Sequence, residues 1–172
     1  MDKEYVDEKK VSSQERTWIK VTVFFSLIAM LISSYLIYVH YSGTTQSFCD
    51  IGTKANCNNV SRSVYSEFPI NSGIPVAVLS IIFFLMIILF ALGLKRKKTI
   101  KIGSRKCNKK TWTNIMFYGL ILGLMFALYL VGIELFVIRV ICILCVLLDV
   151  CILILLIASY YLRKLYHDKK IK

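Results

Sequence analysis

Four long hydrophobic runs separated by polar segments dominate the pattern of the chain. They cover residues 21–41, 74–94, 112–133 and 140–162. About 20 residues of α-helix rise roughly 30 Å, which is the thickness of the hydrocarbon core of a bilayer. Each run is therefore predicted to be a transmembrane helix.

The last two runs are nearly continuous, and the chain must fold back between them. As a single helix, residues 112–162 would be about 75 Å long, more than twice the thickness of the bilayer. Two charged residues lie close together at only one place in this stretch, Glu134 and Arg139. We expect a tight outer turn over residues 134–139, with Glu134 near the membrane interface and exposed to water.

These features predict an all-α membrane protein, a four-transmembrane-helix bundle. Residues 42–73, rich in Ser, Asn, Gly and Thr, are predicted to form an extracytoplasmic loop between helices 1 and 2. A short helix near residues 58–67 is expected to lie on the membrane surface. The first run is longer than the apolar part of a signal peptide and lacks a small-residue cleavage site, so it is interpreted as an anchor.

Lys and Arg are distributed very unequally among the polar segments. Nineteen of the 22 lie before the first run, between the second and third, or after the fourth. Because cytoplasmic segments carry the excess of Lys and Arg, both termini and the 95–110 loop are predicted to be cytoplasmic. The net charge of +12 then reflects topology and contact with anionic membrane lipid, and nucleic-acid binding is not needed to explain it.

The charge pattern also divides the chain into three predicted regions. Residues 1–17 are expected to be a polar cytoplasmic segment, and residues 18–162 the four-helix membrane domain. Residues 163–172 are expected to be a basic cytoplasmic tail. The protein is thus predicted to be an integral, multi-pass membrane protein.

Four of the six cysteines form two pairs on the predicted extracytoplasmic side. Cys49 and Cys57 lie in the polar loop, whereas Cys142 and Cys145 lie at the start of the fourth run. Disulfides persist outside the reducing cytoplasm. A helix N-terminus favours the nucleophilic thiolate, and dithiols exchange electrons by thiolate attack on a disulfide. Two neighbouring pairs could therefore relay electrons.

Simpler interpretations of the cysteines remain open. The Cys142-x-x-Cys145 spacing also arises by coincidence in apolar helices, and Cys49–Cys57 can be a structural disulfide of the loop. A zinc site made from all four thiols is disfavoured, because one pair lies at the membrane edge. Cys107, in the predicted cytoplasmic loop, is expected to be a free thiol.

Helix phase separates the residues of the fourth run into two faces. At 100° per residue, Cys145 lies about 60° and Asp149 about 20° from Cys142, so these three share a face. Cys151 lies about 180° from Cys142 and is expected to pack as a small hydrophobe. An ionisable group inside a span marks a functional site by default. Asp149 is therefore a candidate for proton uptake, and a packing role is the alternative.

Together these residues resemble the vitamin K epoxide reductase (VKOR) family. Order, spacing and the four-span layout match over residues 21–162. The residues that carry the resemblance are Cys49-x7-Cys57, Ser63, Tyr65-Ser66, Gly73-Ile-Pro75, Leu128-Tyr-Leu130, Glu134-Leu135 and Cys142-x-x-Cys145.

The resemblance implies a bundle around a quinone pocket at the outer membrane face. Cys142 and Cys145 match the active-site pair of the family, with Cys145 nearest the quinone. Cys49 and Cys57 match its shuttle pair, with Cys57 exchanging with Cys142. Ser63 matches a loop serine near the pocket. A quinone of the ubiquinone or menaquinone type is the implied electron acceptor.

Two departures from the family pattern shape the predicted reaction. Vertebrate members carry Thr-Tyr-Ala where this chain has Leu148-Asp149-Val150, which favours the microbial branch that oxidises protein thiols. Microbial members often carry a fused thioredoxin-like domain; none is seen here, so a separate extracytoplasmic thioredoxin-fold protein is the expected partner.

The predicted activity is thus that of a thiol:quinone oxidoreductase that supports disulfide formation. Ser63 and Asp149 are its candidate quinone-contacting residues, and no metal is predicted. Vitamin K epoxide reduction is one alternative. A non-catalytic four-span scaffold with a structural loop disulfide is the other.

Overall fold

A computed structural model gives the architecture of the chain. It describes residues 2–42, 57, 60, 63, 66–68, 73–95, 100–102, 105–107 and 109–168. For residues 2–12, 95–109 and 167–168 the description is limited to the backbone.

Four long α-helices make up most of the described part of the molecule. They are α1, Asp2–Tyr41; α2, Val76–Lys95; α3, Lys109–Ile133; and α4, Ile143–Asp168. Each contains a stretch that is long and apolar enough to cross a membrane. Large apolar side chains such as Leu31, Leu122 and Phe136 are exposed on the outside of the bundle, as expected for a lipid-facing surface. The prediction of a four-helix membrane bundle is confirmed.

Helix α1 holds the bundle together. It packs along both α2 and α4, and α4 also packs along α3, whereas the described parts of α2 and α3 make few contacts with each other. Small, fully buried residues such as Ala29 and Ser33 allow the neighbouring helices to approach α1 closely. The hydroxyl oxygens of Ser33 and Ser80 are 2.7 Å apart and join α1 to α2 by a hydrogen bond.

Both ends of the described chain lie at the same end of the bundle. The rings of Trp18 on α1 and Tyr161 on α4 stack with their centroids 4.7 Å apart. One turn further, the Tyr166 hydroxyl donates a hydrogen bond to the Glu15 carboxylate. This arrangement follows from an even number of spans. Helix α1 begins at Asp2, so its helical backbone includes most of the polar segment predicted at residues 1–17.

The connection from α3 to α4 differs from the predicted tight turn. A π-helix, Glu134–Ile138, continues α3, and the chain reverses only at Arg139, whose φ of 57° lies in the left-handed region. The Val140 N–H donates to the Glu134 carbonyl at 3.2 Å and closes this turn. Arg139 is exposed, so its backbone takes this conformation without burying the guanidinium.

A small hairpin interrupts the otherwise helical architecture. Strand β1, Ile100–Ile102, pairs antiparallel with β2, Arg105–Cys107, and Ile100 lies opposite Cys107. The β-branched Ile100 and Ile102 favour extended structure, and two intervening residues are the commonest hairpin connection. The sequence analysis assigned no structure to this segment.

Between α1 and α2, a few loop residues are described. Cys57 and Val60 are helical, and the Ser63 N–H donates to the Val60 carbonyl at 3.2 Å. Helical structure is thus present at Cys57, one residue before the predicted surface helix at residues 58–67. The last loop residues bond to the end of α1: the Tyr41 hydroxyl donates to the Gly73 carbonyl at 2.9 Å.

Candidate active site

The first turn of α4 carries a disulfide between Cys142 and Cys145. Cys142 immediately precedes the helix, and its carbonyl accepts a hydrogen bond from the Val146 N–H at 3.1 Å. Its Sγ accepts a hydrogen bond from the Cys145 N–H at 3.2 Å. This is the bond that a serine or threonine side chain makes at a helix N-cap. The three-residue spacing therefore both closes the disulfide and caps α4.

Cys57 belongs to the same buried cluster as Cys142. Both residues are 0% exposed, and Leu36 from α1 and Val60 from the loop complete the cluster. Cys57 is itself disulfide-bonded. Its predicted partner Cys49 lies outside the described residues. A second disulfide-bonded cysteine and the α4 disulfide thus meet in one buried cluster, and such proximity is what thiol–disulfide exchange requires.

An apolar cavity of about 650 Å³ opens beside the α4 disulfide. It lies between α2, α3 and α4, with loop residues at one end. Polar groups in its wall are few: the hydroxyls of Ser63, Ser66 and Ser80, the carboxyls of Glu134 and Asp149, and the sulfurs of Cys142 and Cys145. A largely apolar pocket with a few convergent polar groups is typical of a small-molecule site.

Aromatic rings and glycines form the long walls of the cavity. Phe83 and Phe84 line it from α2, and Gly123 and Phe126 line it from α3. A Cβ atom added at Gly123 would lie 2.9 Å from Cζ of Phe83, so glycine is needed for the ring to rest against the α3 backbone. Because the described parts of α2 and α3 make few contacts, the cavity lies in the space that separates them.

The predicted shared face of α4 is confirmed. Cys142, Cys145 and Asp149 all line the cavity, whereas Cys151 is a buried free thiol within the hydrophobic core. Among the described residues, none donates a hydrogen bond to the Asp149 carboxyl. The proton role of Asp149 stays a prediction.

Ser63 also lines the cavity, as the sequence analysis predicts for its position. Its hydroxyl donates to the Val60 carbonyl at 2.8 Å, and its carbonyl accepts from the Ser66 hydroxyl at 2.8 Å. These short-range bonds hold the loop residues in a compact turn at the cavity. Contact between Ser63 and a bound molecule stays a prediction.

Glu134 is the residue whose position the sequence analysis predicted wrongly. Its side chain is only 5% exposed and lines the cavity instead of facing water. Its Oε2 accepts a hydrogen bond from the Cys142 N–H at 3.1 Å. A buried N–H needs such a partner, because leaving it without one is costly. Since Glu134 is the only carboxyl between residues 112 and 148, the reasoning applied to Asp149 would have found it.

Glu134 lies close to both sulfurs of the α4 disulfide. One carboxylate oxygen of Glu134 and the Sγ atoms of Cys142 and Cys145 all lie within 4.8 Å of one another. Two thiolates and a carboxylate are zinc-binding groups, but these sulfurs become thiolates only after the disulfide is reduced. In the disulfide form, Glu134 instead holds the backbone of Cys142.

The base of the loop is tied to α1 by a second carboxyl. Glu67 lies 3.9 Å from the His40 imidazole, and its Oε2 accepts a hydrogen bond from the Gly73 N–H at 2.9 Å. Gly73 has a φ of +72°, which glycine adopts without strain. These contacts fix the residues that lead into α2 next to the end of α1.

A comparison with family models decides the assignment. The model of the vitamin K epoxide reductase family matches residues 20–160. The chain belongs to this family. A comparison with curated proteins gives no match. This VKOR-family protein is therefore a multi-pass membrane protein of an oxidoreductase family, and the family resemblance carried by its cysteine motifs is confirmed.

Proposed function

We propose that this VKOR-family protein is a thiol:quinone oxidoreductase that supports disulfide formation outside the cytoplasm. A separate thioredoxin-fold protein supplies the electrons, and a membrane quinone accepts them. The observation that carries the proposal is the position of the Cys142–Cys145 disulfide. It forms part of the wall of an apolar cavity and lies in the same buried cluster as a second disulfide-bonded cysteine, Cys57.

The proposed relay runs through four sulfurs in order. The reduced partner exchanges with the Cys49–Cys57 disulfide and leaves it as a dithiol. The Cys57 thiolate then attacks Cys142, which forms a mixed disulfide and releases Cys145 as a thiolate. Cys49 resolves this mixed disulfide, so the loop pair is reoxidised and Cys142 and Cys145 become the dithiol.

Quinone reduction completes the cycle. The Cys142–Cys145 dithiol loses two electrons and two protons and becomes a disulfide, while the quinone gains them and becomes a quinol. Cys145 is the proposed contact with the quinone, because it lines the cavity and is more accessible than the fully buried Cys142. Ser63 and Asp149 are the proposed polar contacts.

The cavity has suitable dimensions and chemistry for a quinone of the ubiquinone or menaquinone type. Its volume of about 650 Å³ falls within the range of small-molecule pockets. Phe83, Phe84 and Phe126 offer faces for stacking on a flat ring. The separation of α2 and α3 provides a path on which an isoprenoid tail can extend towards lipid.

The proposed orientation places both termini and the 95–110 loop in the cytoplasm and the cysteines at the extracytoplasmic face. The distribution of Lys and Arg supports this orientation. The stacking of Trp18 of α1 on Tyr161 of α4 supports only the part of this proposal that puts both termini on the same side of the membrane. Within it, residues 1–17 and 163–172 are the proposed cytoplasmic segments, and residues 18–162 the membrane domain.

Quinol formation by the purified protein in lipid nanodiscs tests the proposal. The donor is a reduced thioredoxin-fold protein and the acceptor a short-chain menaquinone or ubiquinone analogue. Cys145→Ser should abolish turnover. Cys151→Ser is the matched control, because Cys151 is a free thiol of the same helix that does not line the cavity, and this variant should keep full turnover.

Three outcomes would contradict the proposal. Turnover that persists in Cys145→Ser would show that electrons do not reach the quinone through Cys145. A wild-type protein whose disulfides stay oxidised with reduced donor present, and which forms no quinol, would be a scaffold. Turnover of vitamin K epoxide in place of quinone would favour an epoxide reductase.

A further inference from the structure

We infer that Glu134 accepts the proton of the Cys142 thiol when the Cys142–Cys145 pair is oxidised, and passes this proton to the reduced quinone, which thereby becomes quinol. The inference rests on the proposed thiol:quinone function and deepens it. It gives a role to the buried carboxyl nearest the two sulfurs.

Glu134 is close both to the sulfurs and to the cavity. Its carboxylate oxygen lies within 4.8 Å of both sulfurs, and its side chain lines the cavity in which the quinone is proposed to bind. The hydrogen bond from the Cys142 N–H fixes one oxygen, Oε2. The same carboxyl therefore faces the reacting sulfurs on one side and the cavity on the other.

The balance of the reaction requires a proton acceptor close to Cys142. The nucleophile in disulfide chemistry is the thiolate, so the Cys142 thiol must lose its proton before its sulfur can bond to Cys145. Cys142 is 0% exposed and lies in an apolar cluster, so no bulk water is in contact to take that proton. The quinone needs two protons to become quinol. A carboxyl between thiol and quinone moves one of them without exchange with solvent.

The distance between carboxylate and sulfur suits this role in the oxidised state. The sulfurs of a disulfide carry no proton, so no hydrogen bond to Glu134 is expected. In the reduced state, a rotation of the side chain or one bridging water closes a gap of this size, and catalytic hydrogen bonds commonly tighten in the reacting complex.

Few other ionisable groups face Glu134. Among the residues that line the cavity, α2 and α3 contribute no ionisable side chain, and α4 contributes Asp149 and, once the disulfide is reduced, the Cys145 thiol. The loop places Cys57 in the neighbouring cluster. Asp149 lies one turn beyond Cys145 along α4, away from the Cys142 backbone that Glu134 contacts, so substitutions of the two carboxyls are distinguishable.

A purely structural role for Glu134 is the alternative that the experiment must separate. Glu134 could serve only to satisfy the Cys142 N–H at the start of α4. Glu134→Gln keeps an oxygen that accepts this hydrogen bond but cannot take up a proton. Glu134→Ala loses both properties. A difference between wild type and Glu134→Gln therefore reports the proton and not the hydrogen bond.

The test is a single-turnover measurement in nanodiscs. The fully reduced protein is mixed with a short-chain menaquinone analogue, and quinol formation is followed from pH 5 to 9. Glu134→Gln should slow the step about 100-fold or more, which is the usual worth of a positioned acid or base. Its dependence on pH should flatten, and added formate should restore part of the rate. The unfolding midpoint and the disulfide content should match those of wild type.

Glu15→Gln is the matched control. It removes a carboxylate at the opposite end of the bundle, where Glu15 bonds to Tyr166, and should leave the rate unchanged. A rate for Glu134→Gln within threefold of wild type would overturn the inference. So would a slower rate with an unaltered pH profile and no formate rescue, because that pattern belongs to a helix cap.

A second measurement does not depend on quinone. Alkylation of Cys142 in the reduced protein by a maleimide reports the coupling between its thiol and a neighbouring carboxyl. Because the thiol and the carboxyl titrate together, the alkylation rate of wild type should rise with pH in two steps. Glu134→Asp should keep both steps, and Glu134→Gln should change the profile. If no quinone is reduced but this coupling is found, the proposed function fails and the thiol–carboxyl coupling stands. If wild type reduces quinone and the profile does not change, only the inference fails.

Should Glu134→Gln fail to fold, the alkylation profiles of wild type and Glu134→Asp decide. A two-step profile in both supports the inference, whereas a single-step profile in wild type overturns it.

Discussion

Gly123→Ala should weaken quinone binding without changing the disulfide chemistry. The added Cβ would lie 2.9 Å from Cζ of Phe83, a separation that real Cβ contacts do not reach, so the ring must move. Phe83 lines the cavity, so a displaced ring alters the shape of the space that the quinone is proposed to occupy. Overpacking of this kind typically costs about 1–3 kcal/mol.

The quinone must push the Phe83 ring back in order to bind. The size of the effect on KM follows if this overpacking energy is taken from the binding free energy of the quinone. Because 1.4 kcal/mol corresponds to a factor of ten, the KM for quinone should rise about 5- to 140-fold. The kcat should change little, since Phe83 packs with the main hydrophobic core and Cys142 belongs to a separate buried cluster. Steady-state quinol formation at a series of quinone concentrations measures both constants.

Gly132→Ala is the matched control for this experiment. Gly132 lies on the same helix, does not line the cavity, and a Cβ there would meet nothing within 4 Å. Phe83→Leu in the Gly123→Ala background should recover part of the lost affinity, because the two positions are in contact and their effects are not additive. An unchanged KM in Gly123→Ala, or an equal rise in Gly132→Ala, would refute the reasoning.

Two further predictions concern the packing of the bundle and the relay. Ser80→Ala removes the hydrogen bond that joins α2 to α1. It should lower the free energy of unfolding in detergent by about 0.6 kcal/mol. A loss above about 2 kcal/mol would show that Ser80 contributes more to stability than this one hydrogen bond. The double variant Cys49→Ser, Cys145→Ser should form a Cys57–Cys142 cross-link, visible as a reductant-sensitive mobility shift after thiol trapping, because both sulfurs lie in one buried cluster. A failure to cross-link would place the loop cysteine out of reach.

Hydrophobic pattern was enough to predict the four helices, because an apolar run of about 20 residues crosses lipid with its backbone satisfied only as a helix. The α3–α4 connection could not be predicted in the same way. Glycine or asparagine usually marks a left-handed residue, and here Arg139 takes that conformation. The position of the reversal therefore depends on packing between the helices, which no local signal in this segment reports.

The residues of the candidate site also fall into those that a local pattern predicts and those that depend on contacts between helices. Helix phase correctly predicted that Cys142, Cys145 and Asp149 share a face, because α4 is a regular helix below its first turn. Glu134 escaped this reasoning because it was assigned to a turn after α3, whereas a π-helix continues α3 through Glu134–Ile138. The buried Glu134 carboxylate accepts the N–H of Cys142, which lies just before α4. This contact joins separate elements of the fold.

The capping bond of Cys142 links helix stability to the redox cycle. Its sulfur accepts the Cys145 N–H at the start of α4, and a sulfur that turns towards Cys57 to form the mixed disulfide gives up that bond. An N-cap contributes about 1 kcal/mol. In the mixed disulfide, α4 would then lack its N-cap hydrogen bond. Because resolution of the mixed disulfide restores this bond, it is favoured by roughly fivefold. The N-terminal cap of α4 thus lowers the population of the mixed-disulfide intermediate.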